Sequence, residues 1–332
     1  MPERTQPEVV IAGQALDPEE RAKLTPAPAP DHAAAMKAVL TTERFDDPEW
    51  IFERKLDGIR AIAIRSGAHV RLLSRNDLPM NARYPEIAAA LDAEPCERFV
   101  VDGEIVAFEG ARTSFARLAQ RGQHPVAVFY YVFDILWLDG YDVRALPLRS
   151  RKRLLRSALT FKDGVRLTPH RNEHGTALFE EACGKGWEGL MAKRADSPYT
   201  EKRSRDWLKF KCEHGQELVV GGYTAPRGSR SEFGALLLGY YEDGELRYAG
   251  KVGTGFDEVT LRDLGARLRA LARAHAPFAD AASIRERGVS WVEPELVAQV
   301  GFTEWTRAGR LRHPRFLGLR DDKSAREVVR EG

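Results

Sequence analysis

The chain has 332 residues, more than one typical domain, so two domains are expected. Hydrophobic residues at 43% suffice for real cores, and charged residues at 30% suit a solvated surface. A net charge of +2 excludes a histone-style binder, so any nucleic-acid contact must come from cations placed locally.

Residues 1–32 are polar and rich in Pro and Ala, including Pro26-Ala27-Pro28-Ala29-Pro30, and are expected to form an extended or mobile lead-in. β-type segments follow at 50–55, 59–65 and 69–74. Pro85–Leu91 reads as a short helix with proline near its start. Arg98–Phe108 and Val126–Trp137 read as strands, the second apolar enough to be buried. Arg149–Leu159 is a basic helix, and Thr176–Lys185 forms another. Trp207, Leu208 and Phe210 anchor a further strand in a core. Mainly antiparallel strands with surface helices point to an α+β domain over 33–212.

The pattern changes around Cys212–Gly215, the candidate hinge. Strands at 217–223, 233–241 and 246–253 are joined by glycine-containing turns. A helix with Leu261, Leu264, Leu268 and Leu271 on one face comes next, then strands at 289–293 and 295–305. Strands interrupted by one helix suggest a small closed all-β barrel over 213–332, compatible with an OB-fold but also with other small barrels. No apolar run approaches a membrane span, and no signal peptide is visible, so a cytoplasmic protein with no membrane contact is expected. Cys96, Cys183 and Cys212 are odd in number and far apart. They show no zinc spacing and no disulfide framework, and reduced thiols are expected.

The most informative run is Lys55-Leu56-Asp57-Gly58-Ile59-Arg60, entered through Trp50-Ile51-Phe52. Lys-x-Asp-Gly is also an ordinary surface turn, so the run needs partners. They occur in order: Leu73-Ser74-Arg75-Asn76; Val101-Asp102-Gly103-Glu104; Tyr130-Tyr131-Val132-Phe133-Asp134; Glu188-Gly189-Leu190-Met191-Ala192-Lys193; and Trp207-Leu208-Lys209-Phe210-Lys211. Lys209 and Lys211 are two apart, so on a strand they share a side.

This set resembles the covalent nucleotidyltransferase superfamily of DNA ligases, RNA ligases and capping enzymes. Val220-Gly221-Gly222-Tyr223-Thr224, Gly250-Lys251-Val252-Gly253-Thr254-Gly255-Phe256 and the tail His313-Pro314-Arg315-Phe316 through Arg320-Asp321-Asp322-Lys323 look like the bacterial ATP-dependent ligases of the ligase D type. The resemblance implies an α+β nucleotidyltransferase (adenylation) domain followed by an OB-fold barrel. It implies ATP as AMP donor, Mg²⁺ (or Mn²⁺) as cofactor and nicked duplex DNA as substrate, with a monomer working at the nucleoid and possible help from a Ku-type partner.

By the same resemblance Lys55 is the nucleophile. Glu53, Arg60, Arg75, Glu104, Phe133, Lys209 and Lys211 belong to the nucleotide site, Phe133 as the ring that stacks on adenine. Glu104 and Glu188 are metal ligands. Arg320 and Lys323 form a closing element that orients pyrophosphate. Lys209 and Lys211 are expected to depress the Lys55 pKa and to neutralise the transition state. Relatives often carry Pro-Gly or Gly where Glu201 and Lys202 stand, which leaves that loop's shape open. Polymerase and phosphoesterase domains of the kind fused to many ligase D proteins are not visible, so a ligase module alone is expected. The alternatives are an RNA ligase or capping-type nucleotidyltransferase and, in a different class, a non-catalytic DNA end-binding repair module.

Overall fold

The computed structural model describes residues 16–122, 124–212, 214–226 and 231–331. The chain divides into two compact units, one up to Cys212 and one from Glu213 onward. Glu213, within the expected hinge, lies outside the described residues, as do residues 1–15 of the expected lead-in.

The first unit opens with helix α1 (Pro18–Ala22) and strands β1 (Thr25–Pro26), β2 (Lys37–Leu40), β3 (Trp50–Lys55), β4 (Ile59–Ser66) and β5 (His69–Ser74). Then come α2 (Pro85–Asp92), β6 (Arg98–Glu109), β7 (Arg112–Thr113), α3 (Phe115–Ala119), β8 (Val128–Leu138) and β9 (Tyr141–Asp142). It ends with α4 (Leu148–Ala158), β10 (Val165–Leu167), β11 (His170–Asn172), α5 (Gly175–Gly184), β12 (Gly189–Arg194) and β13 (Arg203–Lys211).

Two sheets result. One runs β1-β9-β8-β6-β4-β5, the other β11-β3-β12-β13-β2. The period-2 alternation of β4 explains how they stack. Ala61 and Ala63 face one side and pack with Ile87, Leu91 and Phe115. Ile62 and Ile64 face the other and pack with Phe133, Trp137 and Trp207 between the sheets. On β13, Leu208 and Phe210 turn to the far side, where α5 covers the second sheet with Leu178 and Phe179.

The lead-in is structured from Leu16 onward, which corrects the expectation of a mobile segment there. Asp17 caps α1 in a capping box with Glu20. Leu16 is buried in the first core, and Trp137 donates its indole N–H to the Ala27 carbonyl at 2.8 Å. Pro/Ala-rich composition suits a linker, but here tertiary contacts decide.

The thiol expectation is also corrected. Cys183, near the end of α5, and Cys212, just past β13, form a disulfide with a Cα–Cα distance of 5.2 Å. The packing of α5 on the second sheet brings together two cysteines separated by 29 residues. Cys96 stays a buried free thiol.

The second unit contains β14 (His214–Thr224), β15 (Leu236–Glu242), β16 (Glu245–Val252), α6 (Glu258–Ala270), β17 (Ala272–Arg273), β18 (Val289–Val292), β19 (Val297–Phe302), β20 (Glu304–Trp305), β21 (Leu311–Arg312) and β22 (Arg315–Leu319). β14 pairs with β15, and also with β19 over its first part and β18 over its last. A register shift between Val220 and Gly222 marks the change. One strand serving three partners curls the sheet, and Leu261, Leu264 and Leu268 of α6 pack into its core. This is an OB-fold-type domain following a nucleotidyltransferase-type domain.

Candidate active site

Three adjacent strands carry most of the site. Antiparallel register aligns Lys55, Gly189 and Lys211 across β3, β12 and β13. The next rows are Glu53, Met191 and Lys209, then Ile51, Lys193 and Trp207. Registered partners and residues two apart share a face, so Glu53, Lys55, Lys193, Lys209 and Lys211 all project toward the first sheet.

The Lys55 run holds its shape through Asp57 and Gly58. The Asp57 carboxylate accepts the Phe115 backbone N–H at 2.8 Å, fixing the loop to the start of α3. A Cβ on Gly58 would overlap the Ile105 carbonyl oxygen of β6. Glycine is therefore needed here for close approach to backbone.

Lys55 Nζ stands 2.5 Å from Glu188 Oε1, with side-chain exposures of 18% and 23%. Burial pushes the lysine pKa down, but Glu188, then Glu104 and Asp57, more than offset it, so the pKa lies above that of ordinary lysine. This corrects the expected depression by Lys209 and Lys211. The nearby carboxylates dominate, and Lys55 holds its proton. The other Glu188 oxygen, Oε2, is buried without a hydrogen-bond partner among the described residues. A buried carboxylate oxygen left so is costly, and it fits a hard cation. Among the described residues no cluster of three or more His, Cys, Asp or Glu could hold a metal alone. Magnesium commonly takes one or two carboxylates with water and phosphate oxygens, so Glu188 with Glu104 is compatible with it.

Arg60 of β4 is opposite Glu104 of β6 in register. Its guanidinium makes a two-pronged contact with Asp102, both bonds at 2.5 Å. Asp102 is fully buried and also accepts the Tyr199 hydroxyl at 2.7 Å. Phe133 of β8 is 7% exposed and packs in the inter-sheet core. The Arg60 guanidinium carbon lies 4.6 Å from its ring centroid and Lys193 Nζ 4.0 Å. Arg75 directly follows β5 at the rim of the first sheet, partly buried.

Two residues outside the expected set belong to this wall. Glu53 is buried and paired with two lysines, Lys152 of α4 and Lys193 of β12, the latter at 2.7 Å. Burial lowers the Lys193 pKa to about 8, with Glu53 opposing. Lys193 was detectable: it ends the Glu188–Lys193 run two residues after Met191, on the same face. Lys152 is fixed by tertiary packing alone, and nothing local marks it.

Arg320 and Lys323 lie in the second unit. Arg320 is bound to Asp322 at 2.9 and 2.8 Å, and Lys323 Nζ is 2.9 Å from Glu217 of β14. Both cations are thus neutralised within their own domain.

A family model described as the ATP dependent DNA ligase domain matches residues 30–211, and one described as the ATP dependent DNA ligase C terminal region matches residues 229–323. The multifunctional non-homologous end joining protein LigD of Pseudomonas aeruginosa is 37% identical over 353 residues, covering 99% of this chain and 42% of that protein. Its counterpart in Mycobacterium bovis is 37% identical over 289 residues, covering 85% of this chain and 38% of that protein. The chain therefore spans about two-fifths of the length of these curated relatives. A solved mycobacterial DNA ligase D complexed with ATP and MES is similar with a TM-score of 0.66 and 34% identity, covering 90% of this chain and 98% of that chain. The ligase domain of M. tuberculosis LigD is similar with a TM-score of 0.50 and 35% identity, at the same coverage.

Proposed function

Because this chain belongs to the ATP-dependent DNA ligase family, we propose that Lys55 carries AMP from ATP to a DNA 5′-phosphate in the sealing of duplex nicks. The observation that carries this reading is the Lys55–Glu188 pair set on one strand face with Lys209 and Lys211. Lys55 Nζ attacks the α-phosphorus of ATP, the bond to pyrophosphate breaks, and the amine gives up a proton. AMP then passes to the DNA 5′-phosphate. Attack by the 3′-hydroxyl joins the strand and releases AMP.

The amine must be neutral to attack. Ordinary lysine at pH 7.5 is neutral in about one molecule in a thousand, a cost of roughly 4 kcal/mol. Glu188 enlarges that cost. Bound Mg²⁺ (or Mn²⁺) would supply positive charge beside Lys55 and compete for the carboxylates of Glu188 and Glu104. Lys209 and Lys211, on the same face, meet the negative charge that develops on the phosphates. Phe133, Arg60 and Arg75 line the nucleotide side of the cleft. Phe133 must move from its packed position to offer a free face to adenine.

The substrate we assign is nicked duplex DNA, in end joining or repair, with a Ku-type end-binding protein as a candidate partner. A monomer acting on the nucleoid in the cytoplasm suits that substrate. The Cys212–Gly215 segment is the proposed hinge that lets Arg320 and Lys323 serve the first step. Incubation with ATP labelled at the α-phosphate, followed by a denaturing gel, tests the nucleophile. Wild type should give a labelled band and Lys55→Ala none; a Lys55→Ala protein labelled at wild-type yield overturns the assignment. Labelling from adenylate-labelled NAD but not from ATP would overturn the donor.

A further inference from the structure

The basic helix α4 has a stripe that the proposed ligation chemistry touches only at Lys152, through Glu53. Arg149, Lys152, Arg153 and Arg156 follow the i, i+3, i+4, i+7 spacing, which places them on one helical face. Like charges at this spacing destabilise a helix. The stripe therefore works against the helix that carries it. Arg151, out of this spacing, shows the alternative: it is fully buried and bound to Asp134 in a two-pronged pair.

These four cations and His170 of β11 line a cavity of about 210 Å³. Among the described residues, carboxylates do not balance all four. Arg153 pairs with Glu20, and Lys152 pairs with Glu53. Glu53, however, is shared with Lys193. Arg149 donates to the neutral oxygens of Asn172 at 2.7 Å and Pro48 at 2.9 Å. Arg156 has no carboxylate partner among the described residues. Lys152 is buried, with its ammonium donating to the Phe133 carbonyl at 3.1 Å, so one cation is held rigidly at the cavity wall.

His170 reports the field inside. Its pKa is lowered to about 4, first by burial and then by Lys152, Arg156 and Arg149, with Glu53 opposing. The imidazole is thus neutral at pH 7 and offers one donor and one acceptor. The cavity is smaller than the roughly 300–1,000 Å³ that holds a drug-sized ligand, too small for base and sugar together. Arginine forks suit phosphate oxygens in particular.

We propose that the cavity lined by Arg149, Lys152, Arg153, Arg156 and His170 is a second phosphate-binding site, outside the Lys55 centre, that takes one phosphate group. The phosphate can belong to the backbone of a DNA duplex or to free inorganic phosphate.

The test uses the full chain and the double variant Arg153→Gln/Arg156→Gln, both substitutions at exposed positions outside the nucleotide site. The His170 ring resonances, assigned through His170→Gln, are followed by NMR as inorganic phosphate, or separately an intact duplex, is added. In wild type, an anion in the cavity cancels the field of the cations, so the His170 pKa should rise from about 4. The double variant should begin from a higher value and respond to neither addition. A response to duplex assigns the site to DNA backbone. In that case the log–log salt dependence of duplex binding should also flatten in the variant, by about one unit for each arginine that no longer meets a phosphate. A response to phosphate alone assigns it to the free anion. If His170 moves with neither, the proposal fails. Labelling with ATP should stay within about twofold of wild type in the variant, which separates loss of this site from loss of the Lys55 centre.

Discussion

Glu188 opposes the proposed nucleophile, Lys55, that it stands beside. It holds the Lys55 proton in place, with Glu104 and Asp57 adding to the effect. The sign gives a prediction. The folded pKa is above the ordinary lysine value of 10.5, so the neutral fraction grows about tenfold per pH unit throughout the working range. At subsaturating ATP, where the rate reports the ionisation of the free enzyme, single-turnover lysyl-AMP formation should therefore climb from pH 6 to about pH 9 without levelling. A rate flat above pH 7 would show that the limiting proton is not on Lys55. Glu188→Gln removes the largest charge holding that proton, so the apparent pKa should fall. The absolute rate should also fall, by about ten- to a hundredfold, because a proposed metal ligand is removed. Asp102 gives a prediction on stability. Asp102→Ala leaves Arg60 and the Tyr199 hydroxyl without their buried acceptor, and should cost about 3–5 kcal/mol in urea unfolding.

At the scale of elements, legibility followed how local each signal was. Alternation on β4, with Ala61 and Ala63 against Ile62 and Ile64, marks a strand covered on both faces. Trp207 and Phe210 place the flanking lysines of β13 in the same way. The face shared by Lys55, Lys209 and Lys211 could be inferred once three strands were set in register. The segment from Leu16 to Pro30 could not, because its order comes from Trp137 and α4 far along the chain. The state of Lys55 is hidden from the sequence for a related reason. Lysines two apart are visible in sequence, whereas Glu188 is brought to Lys55 only by the pairing of β12 with β3. The pairing of β11 with β3 carries a further prediction. His170 has a folded pKa of about 4, below its unfolded value of 6.5. Its contribution to stability is complete above pH 6.5 and is lost as pH falls toward 4, since the unfolded chain takes up the proton first. Thermal denaturation at pH 7 and pH 4.5 should show a smaller acid loss in His170→Gln than in wild type. Equal losses would place the acid sensitivity elsewhere.

At the scale of the whole molecule, the two units hold complementary parts of the proposed chemistry. Arg320 and Lys323 are held by Asp322 and Glu217, so they must exchange protein carboxylates for phosphate oxygens to act on pyrophosphate. Pyrophosphate leaves only when Lys55 attacks ATP. Arg320→Ala with Lys323→Ala should therefore slow lysyl-AMP formation by about ten- to a hundredfold for each cation removed. Sealing of a nick already carrying 5′-AMP should suffer much less. Equal loss in both single-turnover assays would assign the tail to DNA binding or folding.

The Cys183–Cys212 bond has a mechanical consequence. Cys212 is the last residue of the first unit, so tension arriving along the chain from the second unit enters at its backbone, and its sulfur can pass part of the load on. With the bond intact, the load passes to the end of α5 as well as to β13. Lys209 and Lys211 then lie within a closed loop, sheltered from peeling. With the thiols free, the same pull acts on the end of β13 and draws first on Lys211. Stretched to the limit in a force experiment, the oxidised chain should come out about 100 Å shorter than the reduced one, the span of the sequence separation of 29 that the bond bridges.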